Sequence, residues 1–366
     1  MQILKRIISA FIIGLMLLSC SQETSSEIDD NSLFQNTDNA WYNNENTIEG
    51  NALGTYLIVK TPDDSLFISP KEIDAFFDEF NHELSTYVPT SLINEFNQKS
   101  TAIDLNKTKY FQPCFELSQK LYQMTNGSFD PSVFPIVELW KMIEVDQKVP
   151  SQQQIDSVLA FVGFSEGNIY TYKDGILSKT DERYELIFNA IAKGQAVDEL
   201  AALLEQRGQK NYYVEIGGEL KVKGLNDRNS KWLIGIDEPI ISNTGLNDGE
   251  KRPIENYIEI TNKALATSGN YRDFYELNGE VFGHTIDPVK GQPVNTNILS
   301  ATVIADDVAT ADALATSFMV VGVDSALRII ENATDLNIDA YFLFKQEDGR
   351  IARAYTDGML MYILDK

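Results

Sequence analysis

The amino-acid sequence predicts an α+β fold, mostly antiparallel sheets with flanking helices, and three observations carry that prediction. Helical patterns crowd into the earlier part of the chain and strand patterns into the later part, without the strand–helix alternation of a doubly wound sheet. Asp-Gly and Asn-Gly pairs, Asp174-Gly175 and Asn278-Gly279, sit between alternating strands, where two-residue hairpin turns belong. No linker-like run and no internal repeat interrupts the globular composition from about Leu53 onward, so one elaborate domain or two intimately joined lobes are expected.

The elements follow in order. Lys5 and Arg6 precede an apolar run from Ile7 to Leu18, too short and too close to polar residues for a comfortable membrane span. The run ends in LLSC, with Leu17 three residues before Cys20 and small Ser19 just before it, which resembles a bacterial lipoprotein signal. Residues 1–19 are then a cleaved signal peptide and Cys20 carries the lipid; an ordinary secretory leader with a chance cysteine is the simpler alternative. Residues 20–50 are acidic and poor in aliphatics and read as a tether, and 51–366 as the folded domain.

Within that domain GTYLIVKT is the first strand. SPKEIDAFFDEFNHELST places Ile73, Phe76, Phe77, Phe80 and Leu84 on one helical stripe behind a Ser-Pro start. QPCFELSQKLYQMTNG is a second helix closed by Asn126-Gly127, and SQQQIDSVLAFVG a third ending at Gly163. NIYTYKDGILSKT is a hairpin, and NAIAKGQAVDELAALLEQRG a long helix ending at Gly208. Strands come next, in NYYVEIGGELKVKG, WLIGIDEP, NYIEITNKALATSGNY, DFYELNGEVFGHTID and SATVIADD. ATADALATSFMVVG is a helix feeding VDSALRIIENA, and the tail IDAYFLFKQEDGRIARAYTDGM adds two strands.

Thirty basic against 54 acidic residues leave a net charge of −24. Nucleic-acid backbones need Lys/Arg stripes, so that partner class is excluded. An anionic small ligand must instead be met by local devices: a bound cation, backbone amides or a helix N-terminus. With Cys20 lipidated, Cys114 is the only other cysteine, so no intramolecular disulfide forms, and its apolar helical setting reads as a buried structural thiol.

Several stretches could carry chemistry. Asp312 and Thr316 stand four apart on a predicted helix, so both oxygens face the same way, a pairing that suits a hard cation such as Mg²⁺ and that a solvated helix face also shows. In AIAKGQAVD, Lys193 and Asp198 flank Gly194, which marks either close approach by a ligand or backbone, or an irregular helix start. Gly217-Gly218 inside a strand pattern indicates room for a ligand or a β-bulge. Gly-Ser-Phe-Asp-Pro at 127–131 is a ligand loop or a plain turn before a helix. His284 is one of two histidines, with Asp287 close by; imidazole titrates near neutral pH, while a lone turn histidine is commonly structural or exposed.

Taken jointly, HELSTYVPTSLINEFN, GSFDPSVFPIVELW, IAKGQAVDEL, YVEIGGELKVKG, ATSGNYRDF, HTIDPVKGQPV and ADALATSFMVVG resemble, in order, the motifs of the ApbE family, the FAD:protein FMN transferases. The resemblance runs from about Leu53 to the C-terminus. It implies a T-fold-like α+β domain with an FAD cleft between lobes, in a lipid-anchored protein of the bacterial envelope facing the periplasm or extracytosolic side. It also implies transfer of FMN from FAD to a Ser/Thr hydroxyl of an acceptor protein, with Mg²⁺ present and AMP released. Carried over motif by motif, Leu53, Tyr87, Ser128, Phe129, Asp130, Lys193 and Ile286 contact FAD. Asp312, Thr316 and the Ala190 carbonyl hold the metal, and His284 takes the hydroxyl proton with Asp287 as its helper. Acceptors are expected among membrane electron-transfer subunits or extracytosolic flavoproteins with an Asp-Gly-x-Ser/Thr-like motif. The chain departs from the family pattern DLGGIAKG, reading LIFNAIAKG, with Ile187 and Asn189 at the acidic and first glycine positions, and Ala315 stands where some members have a carboxylate. Two rival readings share the same residues: an FAD pyrophosphatase, with water in place of the acceptor, and a flavin-binding lipoprotein without catalysis.

Overall fold

The computed structural model describes residues 41–364 except 166, 168, 240–252, 270–273, 278–279, 284 and 295. It begins with an antiparallel meander, β1 (Tyr42–Asn43), β2 (Thr47–Ala52) and β3 (Thr55–Lys60). Residues 41–50, expected in the tether, therefore belong to the folded unit. The polar run hid this because a strand near a sheet edge pairs through its backbone and needs few apolar side chains; of residues 41–50 only Ile48 is buried. Trp41 adds an anchor, donating from Nε1 to Asp74 at 2.9 Å and lying over Gly50, where a Cβ would fall 2.2 Å from its ring.

A helical block follows. α1 (Pro70–Leu84) starts as predicted, with the Ser69 N–H donating to the Glu72 carboxylate at 2.9 Å, and it buries the whole predicted stripe from Ile73 to Leu84. After α2 (Leu92–Gln98) and β4 (Ala102–Asp104), α3 (Phe111–Met124) is capped from α1: the N–H groups of Lys109, Tyr110 and Phe111 donate to the Glu83 carboxylate at 2.9, 2.8 and 2.8 Å. Cys114 lies on the buried side of α3, as expected of a structural thiol. Short helices α4 (Phe134–Trp140), α5 (Met142–Asp146) and α6 (Gln152–Leu159) come next, α6 stopping before the predicted Gly163. β5 (Tyr170–Lys173) and β6 (Ile176–Lys179) pair across Asp174-Gly175, both at positive φ, and β6 also pairs with β4. α7 (Ala192–Gln206) ends at Gly208 (φ 87°), as predicted.

The strand-rich half comprises β7 (Tyr212–Ile216), β8 (Glu219–Lys223), β9 (Trp232–Asp237), β10 (Ile254–Ile260), β11 (Lys263–Gly269), β12 (Phe274–Leu277), β13 (Glu280–Gly283), β14 (Ile286–Asp287), β15 (Gln292–Pro293) and β16 (Ile298–Ala305). Then come α8 (Val308–Val321), α9 (Val323–Asn332), β17 (Asp339–Lys345) and β18 (Ile351–Tyr355). Among the described residues nine strands form one sheet in the order β1-β2-β3-β7-β8-β11-β16-β17-β18, every neighbour antiparallel. Two stretches read as single strands are divided. Gly217 (φ 64°) and Gly218 (φ 109°) form the hairpin turn between β7 and β8 rather than a bulge, and Asn262 (φ 52°) turns β10 into β11.

One face of the sheet, through Leu57, Val59, Val214 and Val303, packs on the helices in the larger core. The other face, through Tyr213, Leu220, Val222 and Ile304, is covered by Trp232, Ile234 and Ile236 of β9 and Ile258 and Ile260 of β10. α8 is the central helix. Its alanines 309, 311, 313 and 315 are all buried, and a Cβ on Gly194 would fall 2.5 Å from the Val308 carbonyl. The neighbour that Gly194 admits is thus the start of α8, and the surface-face reading of Asp312 fails, since that residue is 2% exposed.

Candidate active site

The site lies at the end of the sheet where two hairpin turns stand side by side. Leu57 of β3 pairs with Ile216 of β7, and the Gly217 N–H donates to the Tyr56 carbonyl at 3.0 Å, so the β2–β3 turn abuts the β7–β8 turn. The first turn is Leu53-Gly54, with Leu53 at φ 50°, a left-handed conformation that costs a leucine roughly 1–2 kcal/mol. Beside it opens a cavity of about 170 Å³ walled by Leu53, Phe80, Leu84, Tyr87, Asn189 and Lys193. Three of the seven expected FAD contacts, Leu53, Tyr87 and Lys193, therefore meet from three separate parts of the chain. Asn189, one of the departures from the family pattern, donates from Nδ2 to the Tyr87 hydroxyl at 3.3 Å and so becomes part of the wall.

Behind the cavity Lys193 meets two buried carboxylates. Its ammonium is 3.1 Å from Glu219 Oε1 and 3.7 Å from Asp312 Oδ1. The Gly194 N–H, in the first turn of α7, donates to Asp312 Oδ2 at 3.1 Å. Burial pushes Glu219 up to about 7 despite the neighbouring ammonium, and it raises Asp312 for the same reason. Burial alone would depress Lys193, but the charges of Asp312 and Glu219 override it and push the ammonium up. Thr316, one turn beyond Asp312, shares a 3.1 Å hydrogen bond with Ser268 at the end of β11. Ala190 lies in the turn leading into α7.

Among the described residues no three His, Cys, Asp or Glu side chains form a metal cage. The expected donors are instead one carboxylate and one hydroxyl a helical turn apart on α8, with a backbone carbonyl from the turn before α7. That donor chemistry fits Mg²⁺, a hard ion that keeps waters and takes substrate phosphate oxygens.

The remaining expected residues divide. The 127–131 turn docks on α8 through a 2.6 Å hydrogen bond between Ser128 and Ser317, next to Thr316. Phe129 is buried in the main core. Asp130 accepts from the Ser132 N–H at 2.7 Å and the Ser132 hydroxyl at 2.6 Å, and burial pushes it up to about 6. Ile286 sits in a separate small core with Ile136, Trp140, Ile143 and Ile155. Asp287 caps its own turn, accepting from the N–H groups of Val289 (3.0 Å) and Lys290 (3.1 Å) and from the Lys290 ammonium (2.7 Å). Asp198 is not in the cavity wall; it pairs with Lys221 at 2.7 Å and accepts from the first N–H groups of α8, Val308 (2.8 Å) and Ala309 (3.0 Å). His284 and Cys20 lie outside the described residues. His82 is exposed in the last turn of α1.

Glu219 escaped the sequence reading. Its signal was an acidic residue directly after a Gly-Gly pair, which becomes informative only once that pair is known to be a hairpin turn facing α7.

A sequence profile described as the ApbE family matches residues 53–342. The chain is 33% identical to an FAD:protein FMN transferase from Haemophilus influenzae, covering 84% of this chain and 89% of that protein. It is 32% identical to one from Vibrio cholerae, covering 76% and 80%. Among solved structures, a flavin transferase ApbE from Vibrio cholerae superposes with a TM-score of 0.74 at 28% identity, over 87% of this chain and 99% of that one. The apo form of a Pseudomonas stutzeri flavinyl transferase ApbE gives 0.72 at 26%, over 86% and 96%.

Proposed function

The chain belongs to the ApbE family, and from that premise we infer that it is an enzyme that transfers FMN from FAD to an acceptor protein. The observation that carries the inference is the convergence of Leu53, Tyr87 and Lys193 on one cavity with Asp312 directly behind Lys193. We propose further that the acceptor atom is a Ser or Thr hydroxyl and that AMP is the product released. The hydroxyl oxygen bonds to the FMN phosphorus, the bond from that phosphorus to the AMP oxygen breaks, and the hydroxyl proton passes to a base.

Asp312, Thr316 and the Ala190 carbonyl would hold Mg²⁺, which when bound offsets diphosphate charge that this acidic protein would otherwise repel. Lys193 adds a fixed positive charge at the cavity wall, and Leu53, Phe80 and Leu84 supply an apolar surface for a flavin ring. For the base we propose His284. The chain has one other imidazole, His82, and that one is exposed on α1. A positioned base is worth about 10²–10⁴ in rate. The turn hydrogen bonds of Asp287 leave it a holder of the segment after His284, not a proton carrier.

Mass spectrometry of a candidate acceptor incubated with FAD and Mg²⁺ tests the reading. Wild type should add one FMN per acceptor, and His284→Ala and Asp312→Ala should lose at least ~10²-fold in labelling rate. Free FMN without labelled acceptor would mean hydrolysis; bound FAD with neither product would mean a passive binder.

We propose that Cys20 is lipidated and tethers the enzyme to an envelope membrane. The LLSC sequence, with its small residue before the cysteine and the apolar run ahead of it, supports this. Cys20→Ser should move the protein from the membrane to the soluble fraction.

A further inference from the structure

We propose that Glu219 is a positioning residue: its carboxylate holds the Lys193 ammonium off Asp312, so that Asp312 stays open to a divalent cation. The proposal rests on the reading of Asp312 as a cation ligand.

The geometry is asymmetric. Lys193 is at hydrogen-bond length from Glu219 Oε1, 3.1 Å, and beyond it from Asp312 Oδ1, 3.7 Å. The other Asp312 oxygen is committed to the Gly194 N–H at 3.1 Å, so Oδ1 is the atom left for a cation. Glu219 opens β8 immediately after the two-glycine turn and pairs with Ile216, so its backbone is fixed by the sheet. It is 5% exposed, and its Oε2 is buried with no hydrogen-bond partner.

A fold gains little from that arrangement. A buried carboxylate with an unsatisfied oxygen is costly, and a Lys193–Asp312 pair would already balance the ammonium's charge without it. What Glu219 supplies is competition. With two carboxylates sharing one ammonium, neither is fully neutralised, and the tighter contact goes to the residue outside the cation set. Without charge at position 219, Asp312 is the remaining carboxylate for Lys193, and the ammonium closes on Oδ1. A divalent cation must then displace it.

The test is Mn²⁺ titration of the detergent-solubilised full-length protein without FAD, reading free Mn²⁺ by electron paramagnetic resonance. Glu219→Gln should weaken Mn²⁺ binding about tenfold, within the usual range of coupling between neighbouring sites. The double variant Glu219→Gln with Lys193→Met should recover wild-type affinity or better, because no ammonium is left to close on Asp312. Thermal melts establish that each variant is folded. A double variant as weak as Glu219→Gln alone would overturn the proposal, making Glu219 a ligand itself or a structural prop. Unchanged binding in Glu219→Gln would overturn it too. Wild-type binding in Asp312→Ala would instead remove the cation-site reading underneath.

Discussion

Lys179 and Lys193 both turn toward the interior, and the structure treats them in opposite ways. Lys179, at the end of β6, is 7% exposed, and its ammonium donates to three backbone carbonyls: Asn97 at 2.8 Å, Tyr184 at 3.1 Å and Glu182 at 3.2 Å. It also lies 5.0 Å from the centre of the Phe96 ring. Every proton of the group is used, and by neutral acceptors, so burial depresses its pKa. Lys193 keeps 30% of its side chain exposed, faces two carboxylates, and grips one more tightly than the other. A saturated cation fastens loops; an unevenly shared one leaves capacity for a ligand. The contrast separates construction from chemistry better than burial does, since both residues are drawn inward.

The comparison breaks most readily at Lys179. Lys179→Met strands three inward-facing carbonyls, each worth about 1–3 kcal/mol when left unpaired, and relaxation recovers part of that. Stability should fall by roughly 3–5 kcal/mol in urea denaturation, while FAD affinity of the folded fraction stays at the wild-type value. A variant that melts normally but binds FAD poorly would show that the three-carbonyl knot serves the cavity after all.

How much of this was legible in the sequence follows the same division. The α1 stripe, the Asp174-Gly175 hairpin and the Gly208 stop are local signals, and they appear where periodicity and turn chemistry put them. The nine-strand order is non-local, and so is the membership of residues 41–50 in the sheet, because edge pairing leaves little trace in side chains. Leu53, Tyr87 and Lys193 were legible through motif resemblance, and the cavity unites them. Glu219 was not, since its meaning depends on β8 arriving beside α7. Asp312 and Thr316 looked the same on paper as a surface pair; only the sheet, α7 and α3 packed around α8 distinguish them.

Asp130 sharpens the comparison from the acidic side, with the second-largest effect. Its Oδ1 is well bonded to Ser132, yet burial still raises it from 3.8 to about 6. Between those values the folded state keeps a proton that the unfolded state releases, so stability falls as pH rises from about 4 to about 6 and levels off above. The full difference is roughly 3 kcal/mol, at about 1.4 kcal/mol per unit. Asp130→Asn preserves an oxygen for Ser132 and removes the titration, so its urea midpoint should lose that slope. An unchanged slope would place the titrating group elsewhere.

The smallest effect is expected at Leu53 and concerns strain rather than charge. A leucine at φ 50° is held in a conformation suited to Gly or Asn, in the first position of a two-residue turn whose second residue is Gly54. Leu53→Asn writes the preferred Asn-Gly pair and should relieve about 1 kcal/mol. It also removes a half-buried apolar side chain that packs against the main core, a loss of similar size. The two nearly cancel, so the melting midpoint should barely move, whereas FAD affinity should drop severalfold as an apolar wall turns polar. A stability loss above ~2 kcal/mol would mean that core packing keeps leucine in the turn. Unchanged stability with weaker FAD binding would mean that the strain is retained for the ligand, the backbone counterpart of the unsatisfied oxygen on Glu219.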